Sequence, residues 1–576
     1  MTGVQTCALP IWPGPWGAGE GAAAGERVFY VANPITNRIQ TIFATRSGDR
    51  YGYRKGPDLL VSGDKSFRPV AIQFGPDDCL YVVDWYNKII SHNEVPRNHP
   101  ERDKVRGRIW RIRHASQPVR EPVKIAKLAT ADLPRHLGAT NARIADLAWQ
   151  EIVDRDARSL VPQLGRLAAD PAARADARLG AVWALEGLGA VPTPLLETLI
   201  ADPSVALRHE AVRIAASACT EADFRGLAAP LIDDPSPRVR AALGDSLRRV
   251  QAAEPDTLLL MMRLGRGRAS GDAWTIYDRD FERYLARWAL ERHAGGVAEL
   301  LDTPAGKALP IENRILATLA LDPKTAATRL AAMMHTIGRP LEEEEIRVLA
   351  AQAQEPAVAD ALGRLLLDPK TREPALRSLL KLRTAIESDA VEPIVAHATA
   401  ELLENPTNAA DTLLAVDLAG GFRIRAVEPQ VVELCLQAAD AAVRQAAIRA
   451  VRAMGALSAE SGRRLLDAAT NDPRFRADVL DAWAESRDPA ACAALLSGWD
   501  QLGYQERQAV AAALARHREG ATALVAAFAA DTIDPSALPL SVLVDMRAVL
   551  PQDSALEQIW NTVAAGAQHV LRLTGT

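Results

Sequence analysis

Asp-Pro recurs in this chain at Asp170-Pro171, Asp202-Pro203 and Asp234-Pro235, each pair 32 residues after the last. The third copy, DDPSPRVRAALGDSL, echoes the second, ADPSVALRHEAVRIA. Further copies follow as LDPKTREPALRSLLKL, AADAAVRQAAIRAVRAM and NDPRFRADVLDAWAE. A chain with this period cannot close around a single core. Each unit hides its apolar face only against its neighbours, so the units must stack. Asp suits the cap of a helix N-terminus, and Pro suits its first turn, where the amide hydrogen has no partner anyway. Ala, Leu and Arg, all strong helix formers, dominate the stretch, and small Ala residues let paired helices approach.

The array reads as HEAT-type repeats over 136–566, after a basic linker and first helix at 115–135. Upstream the pattern changes. RVFYVANP, NRIQTIFATRSG, PVAIQFGPDDCLYVVDWYN and GRIWRIRH are short runs rich in Val, Ile, Tyr and Phe, separated by turn signals such as Asn33-Pro34, Ser47-Gly48 and Gly75-Pro76. In CLYVVDW, Leu80, Val82 and Asp84 face one way, and Tyr81 and Val83 the other. A propeller blade takes four strands and roughly 40–45 residues. Residues 27–114 are therefore expected to form the C-terminal blades of a β-propeller, about two of them. The fold class expected is mixed and mainly α: a partial β-propeller followed by a long HEAT-type α-solenoid.

The opening MTGVQTCALPIW lacks the positive n-region of a secretory signal and is broken by Pro10. TGVQTCALPI is similar to the translation of a sequencing-library adapter, so 1–12 is expected to be a non-native scar and 13–26 a disordered linker. At the other end, 567–576 carries Val570, Leu571 and Leu573 before a Thr-Gly-Thr turn, and is expected to open a further β domain.

With 48% apolar and 24% charged residues the chain can build a packed interior. A net charge of −5 gives no global cationic field for nucleic acid or an anionic membrane. Nucleic acid is not expected as a partner, and no run reaches the ~18 apolar residues of a membrane span. Cys7, Cys79, Cys219, Cys435 and Cys492 make no CxxC, and the histidines make no HExxH. LEEEEIRVLA, from Leu341 to Ala350, puts acidic residues in a helical first turn, which the helix dipole explains without a metal. No metal site is expected.

SFRPVAIQFGPDDCLYVVDWYNKIISHNEV, followed by ERDKVRGRIWRIRH, resembles an NHL-like propeller repeat. More widely it resembles the last blades of large secreted planctomycete and verrucomicrobial proteins labelled membrane-bound dehydrogenase-like or haem-binding CxxCH proteins. That resemblance implies a propeller like those of quinone-dependent sugar dehydrogenases, then HEAT repeats, sometimes a laminin-G-like sandwich opening at 567–576, then a c-type cytochrome domain. It implies a fragment of a periplasmic or extracellular dehydrogenase oxidising a sugar or alcohol. Haem c and possible PQQ (a quinone) would be the cofactors of the intact parent. The HEAT array would act as spacer and docking surface. The sequence departs from the pattern where Arg102-Asp103-Lys104-Val105-Arg106-Gly107-Arg108-Ile109 replaces R-D-H-x-H-G-R-I, and where Asp78 stands in place of Gly. It also contains no CxxCH.

On this reading Asp84 and His92 are the candidate bases for removing a hydroxyl proton as hydride leaves. Arg68 would hold a carboxylate of the quinone or of an acidic sugar, with Asn87 and Trp85 beside it. The alternative gives Asp84 and Asn87 to turn hydrogen bonds, pairs Arg68 with Asp84, and puts Trp85 in the core. Arg102, Lys104, Arg106 and Arg108 would dock an acidic partner such as a cytochrome or a polyanionic glycan; alternatively they line a solvated seam between domains. A rival reading from another class is a non-enzymatic propeller–HEAT scaffold that binds a protein or glycan partner.

Overall fold

A computed structural model of the chain describes residues 8–9, 23, 26–47, 50–90, 95–118, 121–386, 389–455, 457–470 and 472–563. His92 and all of 567–576 lie outside them, as does most of 13–26. The chain divides into two compact units, Met1–Ala320 and Leu321–Thr576.

The first unit begins with two small antiparallel sheets. One runs β1 (Ala8–Leu9), β2 (Glu26–Asn33), β3 (Arg38–Ser47) and β4 (Arg50–Lys55), with β5 (Leu60–Val61) also paired to β3. The other runs β6 (Pro69–Phe74), β7 (Leu80–Asp84) and β8 (Arg108–Ile112). The alternation in β7 holds: Leu80, Val82 and Asp84 are buried, while Val83 faces out. Val28, Tyr30, Ile39 and Phe43 from the first sheet share one apolar core with Ile72, Phe74, Leu80 and Val82 from the second. β4 was not expected from the sequence, because RYGYRK has no apolar face: its last four residues are exposed. Asn37 sits at φ 56° in the left-handed region, and its side-chain amide donates to the Phe67 carbonyl at 2.5 Å, tying the two sheets.

Two short 3-10 segments, Ile125–Lys127 and Thr130–His136, occupy the stretch where a first helix was expected. Paired helices then follow: α1 (Ala142–Asp154), α2 (Val161–Ala169), α3 (Ala175–Gly187), α4 (Thr193–Ile200), α5 (Val205–Ala218), α6 (Glu221–Ala228), α7 (Pro237–Leu247), α8 (Pro255–Leu264), α9 (Ala273–Glu291), α10 (Ala294–Asp302), α11 (Pro304–Lys307) and α12 (Ile311–Leu319). From α1 to α9 the odd-numbered helices pack on one another in order, and from α2 to α10 the even-numbered ones do the same, so the array has two layers. The first helix is welded to the second sheet by one residue. Asn141 caps α1, its Oδ1 accepting from the Arg143 and Ile144 amides, and its Nδ2 donates to the Gly75 carbonyl and Asp78 Oδ1 at 2.9 and 2.8 Å. Asp78 holds a left-handed φ of 63°, the backbone that glycine would otherwise supply.

The recurring Asp of the early repeats is not the cap. Ser204 and Ser236 hold the N-cap positions of α5 and α7, and the carboxylates of Asp202 and Asp234 accept from those serines' amides at 2.8 Å. Their second task joins repeats. Arg178 of α3 reaches Asp202 at 2.5 Å, and Arg208 of α5 reaches Asp234 at 2.7 Å. The period then lapses, and Arg240 of α7 pairs instead with Glu282 of α9 at 2.6 Å.

The second unit repeats the two-layer plan. Its helices are α13 (Pro323–Met333), α14 (Glu343–Ala350), α15 (Pro356–Leu367), α16 (Arg372–Leu382), α17 (Glu392–Glu404), α18 (Ala409–Gly421), α19 (Glu428–Gln437), α20 (Ala441–Met454), α21 (Ala459–Ala468), α22 (Pro473–Ala484), α23 (Pro489–Ser497), α24 (Tyr504–Leu514), α25 (Arg518–Ala529) and α26 (Leu540–Val549). Here Asp440 and Asp472 do cap α20 and α22 with their side chains. In the acidic first turn of α14, Glu345 accepts from Arg339 and from the Glu342 amide. No helix among the described residues is long and apolar enough to cross a membrane.

Candidate functional site

Of the residues expected at a propeller mouth, Arg68, Asp84, Trp85 and Asn87 are brought together, and the side chains of Arg68, Asp84 and Asn87 bond mainly to backbone groups. Asp84 is 1% exposed. Its Oδ1 accepts from the Arg68 and Tyr86 amides at 2.8 and 2.9 Å, and its Oδ2 accepts from Trp110 Nε1 at 3.2 Å. The buried Arg68 guanidinium donates to the carbonyls of Asn87, Pro34 and Lys88 at 2.7, 2.7 and 2.8 Å. Asn87 is also buried; it donates to the Asp103 carbonyl and accepts from the Ile89 amide. Trp85 is part-exposed, its amide bonded to the Arg68 carbonyl. His92 is outside the described residues. The arrangement fixes the loops between the two sheets.

The described residues of this chain offer no fit to the cofactors that the resemblance gives to the intact parent. Haem c attachment takes two thiols two residues apart and an adjacent His. The free thiols Cys79, Cys219, Cys435 and Cys492 sit on separate elements, and burial pushes the Cys435 thiol up to about 12. A quinone carboxylate would need the guanidinium of Arg68, which three carbonyls already occupy. Among the described residues no group of His, Cys, Asp or Glu converges to hold a metal.

The basic stretch is partly tied down. Arg102 donates to the Val95 and Pro96 carbonyls, and Arg106 pairs with Asp103 at 3.5 Å. The Arg108 guanidinium lies 3.6 Å from the centre of the Tyr86 ring, and Lys104 is exposed. Arg111 pairs with Asp77 at 2.8 Å, and though burial alone would raise the Asp77 carboxyl, bonds from Arg111, the Cys79 amide and Tyr81 bring it below the usual range.

A different surface stands out on the odd layer. The 19-residue α9 buries Glu282, Leu285, Ala286, Ala289 and Leu290 on one face. On another it presents Trp274, Tyr277, Phe281, Tyr284 and Trp288, which are 59, 60, 43, 56 and 39% exposed. Successive ring centres lie 6.3, 6.4, 6.3 and 5.7 Å apart, a continuous aromatic ladder. Its start is fixed by Asp272, which caps the helix, and by Arg50 of β4, which pairs with Asp278 at 2.7 Å and Asp272 at 3.3 Å. Its end is fixed by Arg248, whose guanidinium lies 4.3 Å from the centre of the Trp288 ring.

Beside the ladder an open cleft of about 430 Å³ is lined by Arg213, Arg238, Ala241, Ala242, Phe281 and Leu285. Arg213 is clamped there by Glu186 at 2.5 Å and Glu210 at 2.7 Å. Burial alone would raise the Glu210 carboxyl, but hydrogen bonds from His209, Arg213 and Trp183 draw it down to about 2. Ala241, Ala242, Phe281 and Leu285 give the cleft an apolar part, with the charged Arg213 and Arg238 beside it. The ladder's spacing was in the sequence; that it faces out was not.

A family model described as a domain of unknown function, DUF7133, matches residues 18–116. No curated protein matches the chain. Among solved structures, Kap121p matches with 12% identity over 78% of this chain and 54% of its own, at a TM-score of 0.38. The karyopherin Kap121p bound to the extreme C-terminus of the protein phosphatase Cdc14p matches with 13% identity over 76% of this chain and 53% of its own, at 0.40. Human deoxyhypusine hydroxylase in complex with glycerol matches with 18% identity over 57% of this chain and 96% of its own, at 0.17. The chain thus spans about half the length of the first of these.

Proposed function

We propose that the chain is a helical-repeat scaffold, HEAT-like in its repeats, that docks a protein partner on the odd layer of its first unit. The β-sheets would serve as blades of a partial propeller fixed to its N-terminal end. The observation that carries this reading is the aromatic ladder of α9: five large rings in water along one helix face. Exposed apolar surface of this extent marks interaction sites, and aromatic residues dominate interface energetics. On the resemblance, the scaffold would work outside the bacterial cytoplasm, beside a haem- or quinone-linked domain. The dehydrogenase activity implied by the same resemblance is the weaker reading. Asp84, its described candidate base, is buried with both carboxylate oxygens bonded.

Photo-crosslinking in cells tests the scaffold reading. A benzophenone side chain at Tyr284 is expected to give a discrete protein adduct, and one at Tyr504, which is 76% exposed on the second unit, is expected to give none. No adduct at Tyr284, or equal adducts at both positions, would overturn it.

A further inference from the structure

The rings of α9 fall at 274, 277, 281, 284 and 288, in alternating steps of three and four. That is the a/d spacing that lays one helix along another, knobs into holes. With Trp274, Phe281 and Trp288 at a, and Tyr277 and Tyr284 at d, Asp280 and Arg287 both fall at g, flanking the seam. The helix therefore carries an apolar seam and, seven residues apart on one edge, two opposite charges.

We propose that α9 of a second copy of the chain occupies this seam, antiparallel and related by a two-fold axis. The inference rests on the docking reading above and names its partner. In the register that sets Phe281 against the partner's Tyr284, Tyr277 meets the partner's Trp288, and symmetry repeats both layers. The same register sets Asp280 opposite the partner's Arg287, twice. Charge selects this register. Sliding by one heptad in either direction puts Asp280 against the partner's Asp280, or Arg287 against the partner's Arg287. A parallel pairing sets Asp280 against the partner's Leu285 and makes no ion pair at all.

In the single chain Asp280 pairs with Arg268 at 2.8 Å and Arg287 with Glu291 at 2.7 Å. Pairs that are open to solvent contribute little and exchange readily. At roughly 200 Å² per ring, the exposed parts of the five rings offer about 500 Å² per copy. Two copies would then bury roughly 1,000 Å², the lower bound of a specific interface, so the dimer should be reversible at micromolar concentration.

Sedimentation velocity of the full chain from about 1 to 100 μM tests this, with circular dichroism confirming that each variant is folded. The wild type is expected to pass from monomer to dimer across the range. Phe281→Ser with Tyr284→Ser should stay monomeric. Asp280→Arg and Arg287→Asp should each weaken association about tenfold, and the double reversal should restore it. A wild type monomeric throughout, or a double reversal no better than either single change, overturns the proposal. If that monomer still gives a heterologous adduct at Tyr284, homotypic pairing falls and the docking reading stands. With no adduct either, both fall.

Discussion

Arg208 of α5 grips Asp234, just ahead of α7, through two parallel bonds: Nε to Oδ2 at 2.7 Å and Nη2 to Oδ1 at 3.0 Å. Both side chains are largely buried, and the same Asp accepts from the Ser236 amide. One carboxylate thus sets the turn of its own repeat and anchors the repeat before it. Removing the cation would leave that charge buried and unpaired. Arg208→Met should cost about 3–5 kcal/mol in urea unfolding followed by circular dichroism. Adding Asp234→Asn, which keeps an acceptor for Ser236, should recover part of the loss. Equal stability of Arg208→Met and wild type would contradict this role.

Asn141 bonds two helix amides and two groups of the Gly75–Asp78 turn. Asn141→Ala should cost about 1–2 kcal/mol as a lost cap. It should also speed amide exchange in residues 75–79, because the second sheet loses its tie to α1. Faster exchange confined to α1 would show that the sheet is held by other contacts.

Gly462 of α21 leaves no room for a side chain. A Cβ there would meet Trp483 ring atoms at 2.4 Å, and that ring is 2% exposed with its Nε1 donating to the Ala491 carbonyl. Gly462→Ala should destabilise the chain by about 1–3 kcal/mol, despite the better helix propensity of Ala. Thermal unfolding and near-UV circular dichroism would read it, and a raised melting temperature would refute the packing.

Glu210 gives the pH dependence a sign. Its carboxyl titrates at about 2 in the folded chain against an ordinary value near 4.5. Its contribution is therefore full above the ordinary value and is lost as pH falls towards 2. Over that window it should amount to at most about 3 kcal/mol. The stability difference between wild type and Glu210→Gln should shrink from pH 6 to about pH 2.5. A difference that stays constant would mean that Glu210 is not held in its charged form.

The repeat was legible in the sequence because a period survives any substitution that keeps Asp in place. The role of Asp202 and Asp234 was not, since an Asp before a helix reads as a cap until its Arg partner, from another repeat, is seen. β4 escaped because its last four residues face water and leave it without an apolar face. Arg68, Asp84 and Asn87 were singled out as a group, but their exposure decides what they do, and burial of a polar residue has no periodic signature. α9 was hardest. Both of its faces are apolar, and spacing alone does not say that Leu285 and Leu290 go inward while Tyr277 and Tyr284 stay in water.

Hydroxyl-radical footprinting read by mass spectrometry follows those rings one by one. In dilute purified protein, Trp274, Tyr277, Phe281, Tyr284 and Trp288 should be modified at the rate of exposed residues such as Tyr53 and Tyr504. In the assembled state, in crosslinked cell extract or concentrated protein, the five should become protected together while Tyr53 and Tyr504 do not change. Rings already protected in dilute protein, or still reactive after assembly, would contradict the account.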